Sequence, residues 1–333
     1  MKISFRKPAL AALLSLVSSV ALANTYAEHP AAEKFIQTVS QKHGLDEAHL
    51  RSVLSQAQMQ PAVIKAILPP ADPKVKSWKN YRARFLDDLR IKKGLEFWRE
   101  HASTLAAASE KHGVPEEIIV AIIGVETIYG RVTGSFQTVS ALATLAFDYP
   151  PRSALFTSEL EELFLLSRDQ GQSPLVYNGS FAGALGLPQF MPSSYRRFAV
   201  DFDGDGKVDL MGSPADAIGS VANFLHEHGW EPGGTVAIKI KSARGDLKKL
   251  AERIEPVLSV EDVESHQIKP ESGVPAGAKF AVIDLVTPDR PTEYWLGFQN
   301  FYTITRYNRS SFYAMSVFHL AQTLKQARKA AGG

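Results

Sequence analysis

Apolar side chains recur every three or four residues along most of this chain, the spacing of helices that bury one face. In residues 29–70, Phe35, Val39, Leu45 and Leu50 keep this spacing, and Pro69-Pro70 ends the segment. Trp78, Tyr81 and Phe85 continue it within 74–90, and 95–112 reads as a clearer helix closed by Gly113. Two further helices are expected at 136–147 and 155–168, parted by Pro150-Pro151, with others at 214–228 and 311–328. The texture changes at Gly233, after which 235–241 (TVAIKIK) and 279–286 (KFAVIDLV) alternate or run apolar as strands do. The chain is therefore expected to be mainly α (α+β), helical with a small β-containing insert.

One helix departs from the amphipathic pattern. Residues 117–130 (EIIVAIIGVETIYG) follow Pro115 and Glu116, which suit a helix N-terminus, and run apolar from Ile118 to Val125. That run is too continuous for a helix with one wet face. It ends on one carboxylate, Glu126, which must be partnered, neutral or at the wall of a cavity, because an unpaired buried carboxylate costs several kcal/mol. Each of those cases tunes its pKa in the way a general acid requires. A helix end that has already reached solvent accounts equally well for the residue taken alone.

Two loops also carry candidate chemistry. Residues 177–195 (YNGSFAGALGLPQFMPSSY) set Gly179, Gly183 and Gly186 close together, which lets backbone approach a ligand. Ser180 and Gln189 bring polar tips to this stretch, and Phe190 offers a ring that could stack on a sugar. A tight packing turn with a capping serine is the competing explanation. In 201–209 (DFDGDGKVD), Asp201, Asp203 and Asp205 take positions 1, 3 and 5 of a calcium loop, with Gly206 at the sharp turn. Lys207 would offer its carbonyl at position 7, and Asp209 stands at position 9. Position 12 is Gly212, where a glutamate is expected. Calcium, or weakly sodium, is the expected structural ion, and no cofactor is expected for chemistry.

The remaining composition is ordinary. The 333 residues are 45% hydrophobic and 22% charged with a net charge of +2, and no basic stripe points to nucleic acid. Lys2, Arg6 and Lys7, an apolar stretch over 9–22 and Ala21-Leu22-Ala23 read as an export signal cleaved after Ala23. With no cysteine anywhere, a lipid anchor is not expected, and the mature chain is expected to be soluble and periplasmic.

Gly124-Val125-Glu126-Thr127, Gly183-Ala184-Leu185-Gly186, Gln189-Phe190-Met191-Pro192-Ser193 and Tyr307-Asn308-Arg309, in this order, resemble the lytic murein transglycosylases of the membrane-bound B type. The resemblance covers essentially all of the chain after the signal segment. It implies a lysozyme-like helical core acting on peptidoglycan glycan strands, with Glu126 as the single acid/base that leaves 1,6-anhydromuramyl ends. It further implies that Ser180, Gln189, Tyr81, Phe190, Tyr307 and Asn308 line the substrate groove. The calcium loop of these relatives is longer than usual and closed by an aspartate, which here would be Asp216. Asp216 also fits a capping box begun by Ser213. A hydrolytic muramidase and a non-catalytic peptidoglycan-binding protein remain as alternatives. The expected organisation is a signal segment at 1–23, an N-terminal helical region at 24–95, a core at 96–232 with its loop at 201–216, an insert at 233–294, and a return segment at 295–333.

Overall fold

The computed structural model describes residues 25–69 and 76–332, so the export signal expected at 1–23 lies outside the described residues. Helices dominate, and their ends follow local sequence. His29 and Asp46 accept backbone N–H groups at the starts of Pro30–His43 and Glu47–Leu54, while Gly44 and Gly113 end helices in the left-handed conformation. The segment expected as one helical stretch over 95–112 is two helices, Asp88–Glu100 and Ala102–His112, broken at His101.

The helix Glu116–Thr127 is central. Nine of its residues, Ile118 to Val125 and Thr127, are buried, as its unbroken apolar run requires. The last helix, Ser311–Ala330, packs along it, and Asp88–Glu100 and Pro214–Glu227 flank it. The tight approach of Asp88–Glu100 uses two glycines, because a Cβ at either Gly94 or Gly124 would collide with the Tyr129 hydroxyl. One apolar cluster runs from Tyr26 and Phe35 near the N-terminus to Leu324 near the C-terminus. The N-terminal region is thus part of the same core, and the expected boundary at 95/96 falls inside a single helix.

The insert is a four-stranded antiparallel sheet, with Lys269–Pro270, Ala237–Ser242, Glu293–Gly297 and Ala281–Leu285 in that order across it. Period-two alternation decides what each face covers. Ile238, Ile240, Val282 and Leu296 close a small core of their own with Phe280 and Phe298, whereas Ala281, Ile283 and Leu285 face the main helical core. The strand Glu293–Gly297 pairs with both Ala237–Ser242 and Ala281–Leu285. The insert therefore extends past 294, and Trp295, expected in the return segment, is a strand residue set against His319 of the last helix. No helix among the described residues is long and apolar enough to cross a membrane.

Candidate active site

Glu126 lies in the last turn of the central helix. The helix stops immediately afterwards because Ile128 and Tyr129 adopt φ of 51° and 58°, with Ile128 N–H donating to the Gly124 carbonyl. A left-handed conformation is costly for a β-branched residue and persists only where its surroundings over-determine it. Those surroundings are visible. Thr127 donates through Oγ1 to the Leu187 carbonyl at 2.9 Å and accepts Gly130 N–H at 3.0 Å. Gln189 Nε2 reaches the Thr133 carbonyl at 3.0 Å, and the Tyr307 hydroxyl donates to the Pro188 carbonyl at 2.6 Å. Leu187 and Pro188 are thus tied to the last residue of this helix and to Tyr307, and Gln189 to the segment that follows it.

The Glu126 residue is half-buried, and its carboxyl is withdrawn from water. This desolvation pushes its pKa from 4.5 up to about 7, opposed by a hydrogen bond donated by the Tyr313 hydroxyl to Oε1 at 2.5 Å. Among the described residues no second carboxylate contributes to that shift. Three phenols surround the acid. Tyr313 and Tyr307 lie nearly parallel, 6.3 Å apart between ring centres, and the negative charge of Glu126 reinforces burial in holding both hydroxyls protonated. Tyr81 is half-buried, and burial followed by the charge of Glu126 raises its pKa as well. It also packs on Phe85 and Phe312, so the core-aromatic explanation holds for one side of its ring.

The other expected groove residues divide. Ser180 accepts the N–H groups of Ala182 and Ala184 at 3.3 and 3.0 Å, capping its own turn and leaving the hydroxyl proton as its one remaining donor. Gln189, expected as a donor, spends Nε2 on the Thr133 and Gly186 carbonyls, so the amide oxygen is what it can offer. Its φ of 52° places it among the left-handed residues next to the acid. Phe190 is not a stacking surface. It is 2% exposed, packed against Phe224 and Tyr307, and supports Tyr307 from behind. Asn308 is exposed at the end of the helix Gln299–Tyr307, beside Tyr307. Tyr313 escaped sequence reading because it lies 187 positions from Glu126, on the apolar face of an amphipathic helix.

In the acidic loop, carboxylate oxygens of Asp201, Asp203 and Asp205 come within 4.8 Å of one another. Left-handed Gly204 and Gly206 make the turn, and Asp201 accepts the N–H groups of Gly204, Asp205 and Gly206. Lys207 donates its N–H to Asp205 at 2.8 Å. Asp209 and Asp216 stand outside this three-carboxylate group. Asp209 accepts Met211 and Gly212 N–H groups, while Asp216, 1% exposed, accepts those of Phe202 and Asp209. Asp216 thereby stitches the two ends of the loop together, and Ser213 caps its N–H.

A half-buried carboxyl held near neutral pKa at the end of a helix, with phenols beside it, is a group suited to general acid chemistry. The chain belongs to the transglycosylase SLT domain family, whose model matches residues 27–322, and with it is a lytic transglycosylase. It is 41% identical over 314 residues to membrane-bound lytic murein transglycosylase B of Escherichia coli K12, covering 91% of this chain and 85% of that protein. The E. coli lytic transglycosylase Slt35 in complex with calcium superposes with a TM-score of 0.82 at 40% identity, covering 92% of this chain and 96% of that one. SltB3 from Pseudomonas aeruginosa, solved with NAG-anhNAM-pentapeptide, gives 0.76 at 29% identity, covering 88% and 78%.

The raised pKa of Glu126 links to stability with a definite sign. The folded protein holds this proton more tightly than the unfolded chain, so the contribution is complete below about pH 4.5 and is lost as pH rises to about 7. Glu126→Gln cannot ionise. In thermal melts at pH 8 this variant is expected to be more stable than wild type by up to about 3 kcal/mol, an upper bound because solvent reaches one side of the residue. At pH 4 the two proteins should melt together, and coincident melts at pH 8 would contradict the assigned burial.

Proposed function

We propose that this chain cleaves the β-1,4 bond between N-acetylmuramic acid and N-acetylglucosamine in peptidoglycan without water, with Glu126 as the only acid/base. The observation that carries this reading is the carboxyl raised to about 7, with no second carboxylate among the described residues contributing to the shift. Two-carboxylate glycosidases divide the work between an acid and a base or nucleophile, and this site holds one group for both tasks. Protonated Glu126 gives its proton to the glycosidic oxygen as the bond from the anomeric carbon to that oxygen breaks. The resulting carboxylate takes the proton from the muramyl 6-hydroxyl as that oxygen bonds to the anomeric carbon. The products are a free N-acetylglucosamine 4-hydroxyl and a 1,6-anhydro end, and Glu126 is again protonated. An acid with a pKa near the working pH serves both steps.

Tyr313 keeps the carboxyl oriented through its hydrogen bond, and Tyr81, Tyr307 and Asn308 border the space the sugars would take. The Ser180 hydroxyl and the Gln189 amide oxygen supply one donor and one acceptor for hydroxyl and acetamido groups. The substrate's own acetamido group would help to stabilise the cationic transition state. Substrate and N-terminal sequence together support a periplasmic location, reached through an export signal. On purified murein sacculi, the released muropeptides are expected to carry anhydro ends, one water lighter than hydrolysis products by mass spectrometry. Glu126→Gln should lower turnover by about a hundred- to ten-thousand-fold while glycan binding persists. Water-containing ends, or near-normal turnover in the variant, would overturn the scheme.

The loop at 201–216 is proposed to hold calcium as a structural ion. Three converging carboxylates repel one another unless a hard cation neutralises them, and oxygen donors alone favour calcium. Asp201, Asp203 and Asp205 would supply side chains and Lys207 its carbonyl. Asp209 and Asp216, with lone pairs left beyond their N–H partners, would close the shell. Chelation by EDTA is expected to lower the melting temperature by about 5 °C, with calcium restoring it. An unchanged melt with no metal bound would remove the assignment.

A further inference from the structure

Polar contacts hold both ends of the last helix, Ser311–Ala330, against the central helix, Glu116–Thr127. At the active-site end, the Tyr313 hydroxyl donates to Glu126 Oε1 at 2.5 Å. At the other end, Lys325 Nζ donates to Glu117 Oε1 at 2.6 Å and Arg328 Nη1 to Glu116 Oε2 at 3.1 Å. The two helices therefore run antiparallel, clamped at each end. Glu116 stands ten residues before Glu126, about 15 Å along the helix axis.

The far clamp is more than a pair of surface contacts. Trp98, 4% exposed on the helix Asp88–Glu100, donates through Nε1 to the same Glu116 Oε2 at 2.5 Å. The Arg328 guanidinium stacks over the Trp98 ring, 4.5 Å from its centre. Three helices are thus pinned at one spot. The Glu117 side chain is only 13% exposed, which shields its pair from the water that weakens ordinary surface pairs. Between this clamp and Tyr313 the last helix buries Ala314, Val317, Leu320, Ala321 and Leu324, and the buried Ser316 Oγ has no hydrogen-bond partner among the described residues. Apolar burial is non-directional and holds the helices together, whereas the directional contacts at the two ends single out one register.

We propose that Glu116, Glu117, Lys325 and Arg328 are positioning residues, whose ion pairs set the axial register of the last helix and so place the Tyr313 hydroxyl on the Glu126 carboxyl. Tyr313 and Lys325 belong to one continuous helix, so a slide at the clamp is carried to the hydroxyl. Hydrogen bonds weaken steeply when stretched or bent, and a displacement of about 1 Å at an active site is costly. The consequence for catalysis rests on the proposed acid/base role of Glu126, but the placement of the hydroxyl does not.

The test is the titration of the Glu126 carboxyl, followed by carbon NMR of side-chain-labelled protein, in Lys325→Met/Arg328→Met. Methionine keeps the apolar stems and removes both charges. A melting curve checks that the variant is folded. A loosened Tyr313 hydrogen bond stabilises the carboxylate less, so Glu126 is expected to titrate higher, by up to about one pH unit. Lys325→Met alone should move it less in the same direction, and Lys325→Arg should leave it at the wild-type value. Removing cations also raises a carboxyl pKa through space, so the same substitutions are repeated in Tyr313→Phe. In that background, at about 0.15 M salt, positioning predicts no further rise. An unchanged titration in the folded double variant overturns the proposal. So does an equal rise in the Tyr313→Phe background, which assigns the effect to charge alone, and so does Lys325→Arg behaving like Lys325→Met. Should the double variant be unfolded, Lys325→Met with and without Tyr313→Phe decides by the same criteria. The titration needs no substrate. A chain that shows these shifts yet cleaves no glycan keeps the clamp and loses the acid/base reading.

Discussion

The proposed chemistry depends on removing the Glu126 carboxyl from water while leaving it within reach of a ligand. Burial raises the pKa, and the Tyr313 hydroxyl restrains the rise by stabilising the charged form. The balance leaves an acid that carries its proton near neutrality and can still give it away. Either influence alone would produce a worse catalyst. An exposed glutamate would be ionised at working pH, and a buried one without a donor would hold its proton too firmly.

Much of the surrounding architecture preserves that balance. The continuous apolar face of Glu116–Thr127 places the carboxyl at the end of a rigid, fully packed helix. Gly94 and Gly124 allow Tyr129 to fill the notch between helices, and two successive left-handed residues turn the chain away directly after the acid. Thr127 and Tyr307 then hold Leu187 and Pro188 through their carbonyls, which ties the polar loop to the end of that helix and to the phenol beside it. The insert contributes from outside. Its sheet covers the helical core with Ala281, Ile283 and Leu285, and Val286 and Thr287 tie it to the start of the helix Trp78–Ala83 that carries Tyr81.

Those features that depend on local pattern were legible in the sequence. The unbroken apolar run announced a buried helix, the lone carboxylate at its end marked a side chain whose pKa is raised, and alternating carboxylates with Gly206 marked the acidic loop. Features made by contacts between distant segments were not. Tyr313 looks like any aromatic on the apolar face of a helix. Phe190 carries the composition of a sugar platform, yet its burial under Tyr307 is decided by neighbours far along the chain. The expected boundary at 294/295 cuts the strand Glu293–Gly297, because short strands between two partners need little periodicity of their own. The position 95/96 lies within the helix Asp88–Glu100, whose apolar face continues across it.

The account turns on the protonation state of one carboxyl, which isotope-edited carbon NMR reads directly. In protein labelled at glutamate side-chain carboxyls, the signal missing from Glu126→Gln identifies the Glu126 resonance, and its chemical shift is followed with pH. The resonance is expected to titrate near 7, and to move higher in Tyr313→Phe, where the opposing hydrogen bond is gone. Titration near 4.5, or no response to loss of the Tyr313 hydroxyl, would contradict the balance of burial and hydrogen bonding on which the site is built.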